Sequence, residues 1–326
     1  MSQIKYYPEI PDFLKAASQT PEMLRLKDVG MHCGLEYASF PVYQKLKAYS
    51  RYEHSLGVAL IVWNFTRNKA QSLAGLFHDI ATPCFAHVID FLHGDYENQE
   101  STEEKTTAII DHSKEIQQIL KELKITTAEV ADYHLYPIAD NDSPKLSADR
   151  LEYTLGNFYN YQNISLDEIQ KMYDDLEVMK NEDDQDELGF KHEDIAFKFV
   201  KYMLKNSYMY SADPDRYAME TLAELLKDAI NDKVIREEDL YLIEPELIKK
   251  LTSDPRYRER WSNYRKLSKV VRSDKEVEGG LKINAKHRYI DPLTSKGRVS
   301  LINQELKEEI AKYSNLSFDY WLVARS

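Results

Sequence analysis

Residues 51–90 read RYEHSLGVALIVWNFTRNKAQSLAGLFHDIATPCFAHVID, and the fold is decided there. Leu56, Leu60 and Trp63 recur at a spacing that puts them on one face of a helix, with His54 near its start and Arg51 one turn earlier. Leu73, Leu76, Phe77 and Ile80 form the apolar stripe of a second helix, closed by His78 and Asp79 just ahead of a break at Pro83. From Phe85 to Leu92 helical spacing resumes, and His87 and Asp90 fall three residues apart on one face.

A histidine beside an aspartate, with a second histidine on the preceding helix, has the composition of a metal site. Neutral imidazole together with carboxylate suits a divalent first-row metal that keeps open positions for water. One more anionic ligand is needed, and LSADRLEYTL (residues 146–155) supplies Asp149, followed by Arg150 and, one turn on, Tyr153. Singly, His54 reads as a helix cap, His78–Asp79 as a surface pair and Asp149 as an N-cap; it is their joint order that points to a metal. The donor set leaves the metal open among manganese, magnesium, iron, nickel and zinc.

The order His54, His78–Asp79, Asp149 resembles the HD superfamily of metal-dependent phosphohydrolases. RYEHSLGV, FHDIATPCFAH and ADRLEY are similar, more narrowly, to the branch containing the deoxynucleoside triphosphate triphosphohydrolases. Its usual forms are R-[FY]-E-H-S-L-G-V, H-D-[IL]-G-H-G-P-F-S-H and D-x-D-[RK]-x-[DE]-Y. The match covers residues 20–160 and extends more weakly into the helical region beyond. The resemblance implies a metal held by His54, His78, Asp79 and Asp149, and a nucleotide or related phosphate ester as substrate, a (deoxy)nucleoside triphosphate first among them. It implies that His87 donates a proton to the leaving oxygen while Asp90 orients its imidazole. It also implies that Arg51, Arg150 and Tyr153 contact substrate, Arg51 gripping a phosphate. A homo-oligomer is expected on the same ground.

The chain departs from the branch in the outer shell. Thr82 stands where a pocket histidine is expected, and Thr102 or, in another register, Gln99 where the pattern has a second catalytic histidine, with His93 close enough in sequence to substitute. Gly156 and Asn157 stand where charged residues often follow the tyrosine. These replacements bear on turnover more than on metal binding. They keep open a nucleotide-binding regulatory protein with little turnover, and a phosphomonoesterase for nucleotides or sugar phosphates.

The chain of 326 residues carries 43 basic and 55 acidic side chains, a net charge of −12. That balance argues against a nucleic-acid partner, and an anionic nucleotide would need metal and local arginines to overcome the field. Two cysteines, Cys33 and Cys84, provide neither a disulfide framework nor a zinc knuckle, and a reducing cytoplasmic setting is the simpler reading. The N-terminus lacks the apolar run of a signal peptide, and no apolar segment is long enough to span a bilayer.

Along the chain, Pro8 and Pro11 predict an irregular arm over residues 1–20, and Thr20–Pro21 a helix start. The acidic run NEDDQDE at 181–187 reads as a solvated loop and marks the lobe boundary. An HD-type domain with its arm is expected over residues 1–180, and a C-terminal helical lobe with a short β-containing tail over 188–326. In that tail LKINAKHRYIDPL and GRVSLI suggest a small sheet or hairpin, followed by a helix from Asn303 to Tyr313. The fold class expected is mainly α, a multi-helical body with a small α+β C-terminal region.

Overall fold

A computed structural model describes residues 4–89 and 105–325. Pro11 does not keep the N-terminal arm irregular. It is the N-cap of α1 (Asp12–Ser18), a place where a missing amide proton costs nothing. Pro21 likewise opens α2 (Pro21–Arg25), which tightens into a 3-10 turn over Leu26–Asp28.

The decisive segment forms two packed helices, α3 (Arg51–Thr66) and α4 (Lys69–Phe77). Ser50 fixes the start of α3. Its hydroxyl accepts from the Glu53 amide while the Glu53 carboxylate accepts from the Ser50 amide, a reciprocal cap. Arg67 then takes a left-handed conformation that ends α3, and the Asn68 side chain caps α4 at Gln71. Beyond Pro83 the expected helical spacing resumes late, because Phe85 and Ala86 both turn with positive φ. Two short helices follow residue 105, α5 (Thr106–His112) and α6 (Lys114–Leu123). Leu14, Met23, Leu56, Leu76, Phe77, Ile110 and Ile116 close one apolar core among these elements.

The third motif lies on α7 (Ala148–Gln162), capped by Ser147 at Arg150. It packs with α3, α8 (Leu166–Asp174) and α9 (Glu193–Tyr210) around Val58, Leu151, Leu155, Phe158, Phe199 and Met203. Residues 181–185 of the acidic run are the turn of a hairpin between β1 (Leu176–Lys180) and β2 (Asp186–Phe190), and its last two residues open β2. Only part of that run is solvated. Glu187 is fully buried, where the Arg298 guanidinium and the Leu146 amide donate to it.

A third core gathers α10 (Asp213–Asn231), α11 (Glu244–Leu251) and α12 (Pro255–Arg265) against residues 33–43 and 84–89. The tail contributes β3 (Val270–Ser273), β4 (Leu293–Thr294), β5 (Gly297–Arg298), α13 (Val299–Ile302), α14 (Gln304–Ser314) and β6 (Trp321–Ala324). β1, β2, β4 and β5 form one sheet in that order, and β3 pairs antiparallel with β6. LKINAKHRYIDPL contributes strand structure only at its ends, and its middle has no regular structure. The architecture is thus mainly α with a small α+β C-terminal region. None of its helices, among the described residues, is long and apolar enough to cross a membrane.

Candidate metal centre and its pocket

Three helix ends meet at one point. His54 lies in the first turn of α3, His78 directly follows α4, and Asp149 lies in the first turn of α7. The His78 Nδ1 is 2.8 Å from the Gly75 carbonyl, which can only accept, so Nδ1 carries the proton. The His54 Nδ1 is 2.6 Å from Oε2 of Glu152 and donates in the same way. Both Nε2 atoms are left presenting lone pairs, and they face each other at 3.2 Å. Asp149 Oδ1 completes the group, 3.0 Å from His54 Nε2 and 3.7 Å from His78 Nε2.

Acceptor atoms so close together repel unless a cation lies among them. Ligands at about 2.1 Å on adjacent corners of an octahedron stand about 3.0 Å apart, close to the two shorter separations here. His54, His78 and Asp149 therefore fit a divalent metal, whose identity the donor set leaves open. The electrostatics agree. Burial works to lower the basicity of His54, yet its hydrogen bonds to Asp149 and Glu152 prevail and raise its pKa to about 10. The negative potential that holds a proton there would hold a metal cation.

Asp79, expected as the fourth ligand, stands slightly apart. Its Oδ2 is 3.6 Å from His78 Nε2 and 3.9 Å from His54 Nε2. Both its oxygens accept from the Arg51 guanidinium, at 3.0 and 3.3 Å, and Oδ1 also accepts from the Thr82 hydroxyl at 2.7 Å. Against the effect of burial, Arg51 and the two histidines hold the Asp79 carboxyl well below the usual carboxylate range. Arg51 lines the pocket, but it is itself buried and its guanidinium is engaged with Asp79. Thr82, where the resemblance called for a pocket histidine, braces Asp79 from beneath.

Glu152 was not singled out from the sequence, although the acidic position of ADRLEY contained it. It lies on α7 one turn after Asp149, is 1% exposed, and accepts from His54, from the Tyr49 hydroxyl and from the Tyr6 hydroxyl at 3.2 Å. Glycines make room for this cluster. A Cβ at Gly57 would come within 2.6 Å of the Glu152 side chain, and one at Gly156 within 2.9 Å of the Tyr49 hydroxyl. The Gly57 of RYEHSLGV thus has a steric reason to be there.

The centre forms part of the wall of a pocket of about 480 Å³, which His87, Arg150 and Tyr153 also line. Arg150 is held by Asp140 at 3.0 Å, by the Lys145 carbonyl at 2.8 Å and by Asn141. The ring centroid of Tyr153 is 6.4 Å from that of His54. Asp90, expected to orient His87, lies outside the described residues, as do His93 and Thr102. Three further polar groups on the pocket wall were not anticipated as contacts. Asp215 is 8% exposed, without a hydrogen-bonding or ionic partner among the described residues. Burial pushes its carboxyl up to about 8, against the pull of Arg216 and Arg288. Among the described residues Asn157 Oδ1 and His32 Nε2 are also buried without partners, although Asn157 Nδ2 donates to Tyr210 and His32 Nδ1 meets the Tyr161 hydroxyl.

Residues 51–179 match the HD domain family, and this span contains all three converging ligand residues. Over these residues the chain is similar to an HD domain. The resemblance of the sequence to the HD superfamily is borne out by this match and by a relative named as a metal-dependent phosphohydrolase. The chain is 34% identical over 215 residues to the uncharacterized protein YdhJ of Bacillus subtilis, covering 65% of this chain and 63% of that protein. It is 29% identical over 133 residues to the metal-dependent phosphohydrolase cns2 of Cordyceps militaris, covering 39% of this chain and 36% of that protein. The chain thus spans less than two thirds of the length of either curated relative. A crystal structure of a phosphohydrolase from Bacteroides thetaiotaomicron shares the fold at a TM-score of 0.63 and 16% identity, over 98% of this chain and 97% of that one. A hypothetical protein from Aquifex aeolicus does so at 0.63 and 18%, over 97% and 93%. Both likenesses extend over nearly the whole of this chain, through residues 51–179 and the C-terminal region alike.

Proposed function

We propose that this protein is a metal-dependent phosphohydrolase acting on a nucleotide, with a (deoxy)nucleoside triphosphate as the first substrate class. The observation that carries the reading is the convergence of His54 Nε2, His78 Nε2 and Asp149 Oδ1 within 4.8 Å on the wall of a small-molecule pocket. His54, His78 and Asp149 would hold the metal, with Asp79 as the fourth ligand. When bound, the metal supplies a polarised phosphoryl oxygen and water of lowered pKa.

The chain's own residues do the rest. His87 donates a proton to the leaving oxygen, oriented by Asp90. Arg51 fixes Asp79 beside the centre and lends positive charge to a phosphate, and Arg150 and Tyr153 contact substrate. Asp215, Asn157 and His32 offer buried groups with hydrogen-bonding capacity to the hydroxyl and amino groups of a nucleoside. A cytoplasmic homo-oligomer is the expected setting.

One observation favours a second reading. Thr82 is turned to Asp79 instead of the pocket, so the position where the branch places a pocket histidine offers no proton donor here. A nucleotide-binding regulatory protein with little turnover is the alternative. A phosphomonoesterase for nucleotides or sugar phosphates is the third reading, through the same centre. The test is turnover of a panel of nucleoside tri-, di- and monophosphates and sugar phosphates by metal-reconstituted protein, with products identified. Nucleoside and tripolyphosphate are expected. Release of orthophosphate from monophosphates alone would move the assignment to a phosphomonoesterase. Tight nucleotide binding without products would move it to regulation.

A further inference from the structure

The segment from Ile283 to Asp291 runs along the pocket without regular secondary structure, yet it is pinned at both ends. At one end the Arg216 guanidinium donates to the Ile283 carbonyl. Arg216 is 1% exposed and is itself fixed by Asp213 at 2.7 Å, Tyr320 at 2.9 Å and the Ser211 carbonyl at 3.2 Å. At the other end the Asp291 amide donates to the Pro144 carbonyl at 2.9 Å, and the Asp291 carboxylate accepts from the Ser300 amide at 2.9 Å. Pro144 belongs to the loop that leads into α7 and Asp149, so this strap is tied to the chain that presents a metal-ligand candidate.

Between the pins His287 turns away from the pocket, stacked on Phe318 at 5.2 Å and edge-on to Tyr313 at 5.5 Å. Lys286 and Arg288, on either side of it, both line the pocket, as does Ala285. The Arg288 amide accepts no freedom either, since it donates to the Tyr313 hydroxyl at 3.2 Å. Lys286 is exposed and Arg288 half-buried.

These cations answer a charge problem in the pocket. Its wall carries the carboxylates of Asp79, Asp140 and Asp149, on a chain of net charge −12. Arg51 and Arg150 are held by Asp79 and Asp140, and Arg216 is spent on the strap anchor. We infer that Lys286 and Arg288 form a phosphate-chain subsite, through which the C-terminal region binds the phosphates of the substrate beyond the one attacked. The ligand class is a di- or triphosphate group. Both side chains also make contacts within the protein. A polyphosphate would add a multiply charged acceptor beside them, with the planar guanidinium of Arg288 matching two phosphate oxygens at once.

This inference rests on the phosphohydrolase reading for its biological meaning but not for its test. Inorganic tripolyphosphate and orthophosphate are titrated calorimetrically into metal-reconstituted protein, wild type and Lys286→Ala, Arg288→Ala and Arg288→Lys variants, with metal content measured in each. Tripolyphosphate affinity should fall about tenfold or more in each alanine variant, as for a lost charge-assisted hydrogen bond, with Arg288→Lys retaining part of it and orthophosphate affinity and metal content unchanged. For any substrate turned over, KM for tri- over monophosphate esters should rise with kcat nearly constant. Unchanged tripolyphosphate affinity in both alanine variants overturns the subsite, whatever the enzyme hydrolyses. Equal losses for orthophosphate and tripolyphosphate overturn it too, because the cations would then act on the attacked phosphate. Failure to hydrolyse any ester, with the tripolyphosphate losses intact, overturns the phosphohydrolase reading and leaves the subsite standing.

Discussion

The Nδ1 of His54 lies 2.6 Å from Oε2 of Glu152, and through this contact α7 both completes the candidate metal centre and orients it. Asp149 offers an oxygen to the centre while Glu152, one turn later, fixes the tautomer that points the His54 lone pair at the same place. Carboxylates in this position raise the basicity of a metal-binding imidazole, and their loss costs about 10- to 100-fold in metal affinity. Glu152→Gln should weaken metal binding by that factor while leaving the fold intact, as read by competition with a chelator and by circular dichroism. Retention of wild-type affinity would show that Glu152 only fills space.

Gly57→Ala tests the same relationship sterically. The added methyl would lie 2.6 Å from Glu152, on a buried helix face where neither helix can yield easily. The variant should lose metal affinity as Glu152→Gln does, and should also be destabilised, because overpacking a core typically costs about 1–3 kcal/mol. Chelator competition and urea unfolding of the one variant read the two effects separately.

Arg51 and Asp79 form a buried ion pair at 3.0 Å. Removing one partner of such a pair leaves an uncompensated charge, at a typical cost of about 3–5 kcal/mol. Arg51→Ala should therefore lower stability in urea unfolding, beyond any effect on KM. A variant as stable as wild type, with KM alone raised, would restore the simpler role of phosphate binder that the sequence suggests.

The helices and the metal-ligand candidates were legible in the sequence because each rests on local information. Ser50 and Glu53 form their cap within one turn, and His54, His78 and Asp149 sit in motifs a few residues long. What the sequence left unread depends on distant partners. Nothing near Glu152 announces that it will meet His54 and Tyr49. The run at 181–187 looks uniformly solvated until Arg298, more than a hundred residues away, draws Glu187 inward. Lys286 and Arg288 sit in what reads as a strand, because His287 and Tyr289 share its apolar pattern. The pins at Ile283 and Asp291, to chain far away in sequence, hold that segment along the pocket.

Asp215 gives a pH dependence whose sign follows from its raised pKa of about 8 in a buried site, against an ordinary carboxyl value of 3.8. Below the ordinary value both folded and unfolded chains hold the proton. As pH rises through the interval between the two values the unfolded chain releases it first, so the folded state loses stability until both are ionised above about 8. Asp215→Asn removes this loss. The variant should match wild type near the acid end and exceed it in stability at pH 8 to 9, by on the order of a few kcal/mol, read as a higher thermal midpoint. Parallel midpoint-versus-pH curves for the two proteins would show that Asp215 ionises freely.

His87 is the residue on which hydrolysis should depend most. It lines the pocket with the metal-ligand candidates, and among the pocket histidines it is the one assigned to proton donation. His54 and His78 face each other across the candidate metal position, His134 is held by Asp132 and Asp140, and burial pushes His32 down to about 4, so that it holds no extra proton to give. A proton given to the leaving oxygen stabilises the transition state and not the bound substrate, so loss of His87 should lower kcat and kcat/KM together. General acid catalysis contributes typically about 100- to 10,000-fold, and His87→Ala should fall within that range with its metal content unchanged. The loss should shrink for substrates whose leaving group has a low pKa, such as a nitrophenyl phosphate, because such a group departs without protonation. Steady-state kinetics on a natural and an activated ester, with metal measured in both proteins, checks each part. Should His87→Ala keep wild-type kcat with its metal in place, the acid assignment fails and His93 becomes the residue to replace next. Should it lose kcat equally on both esters, His87 acts before the leaving group departs, in orienting substrate or water.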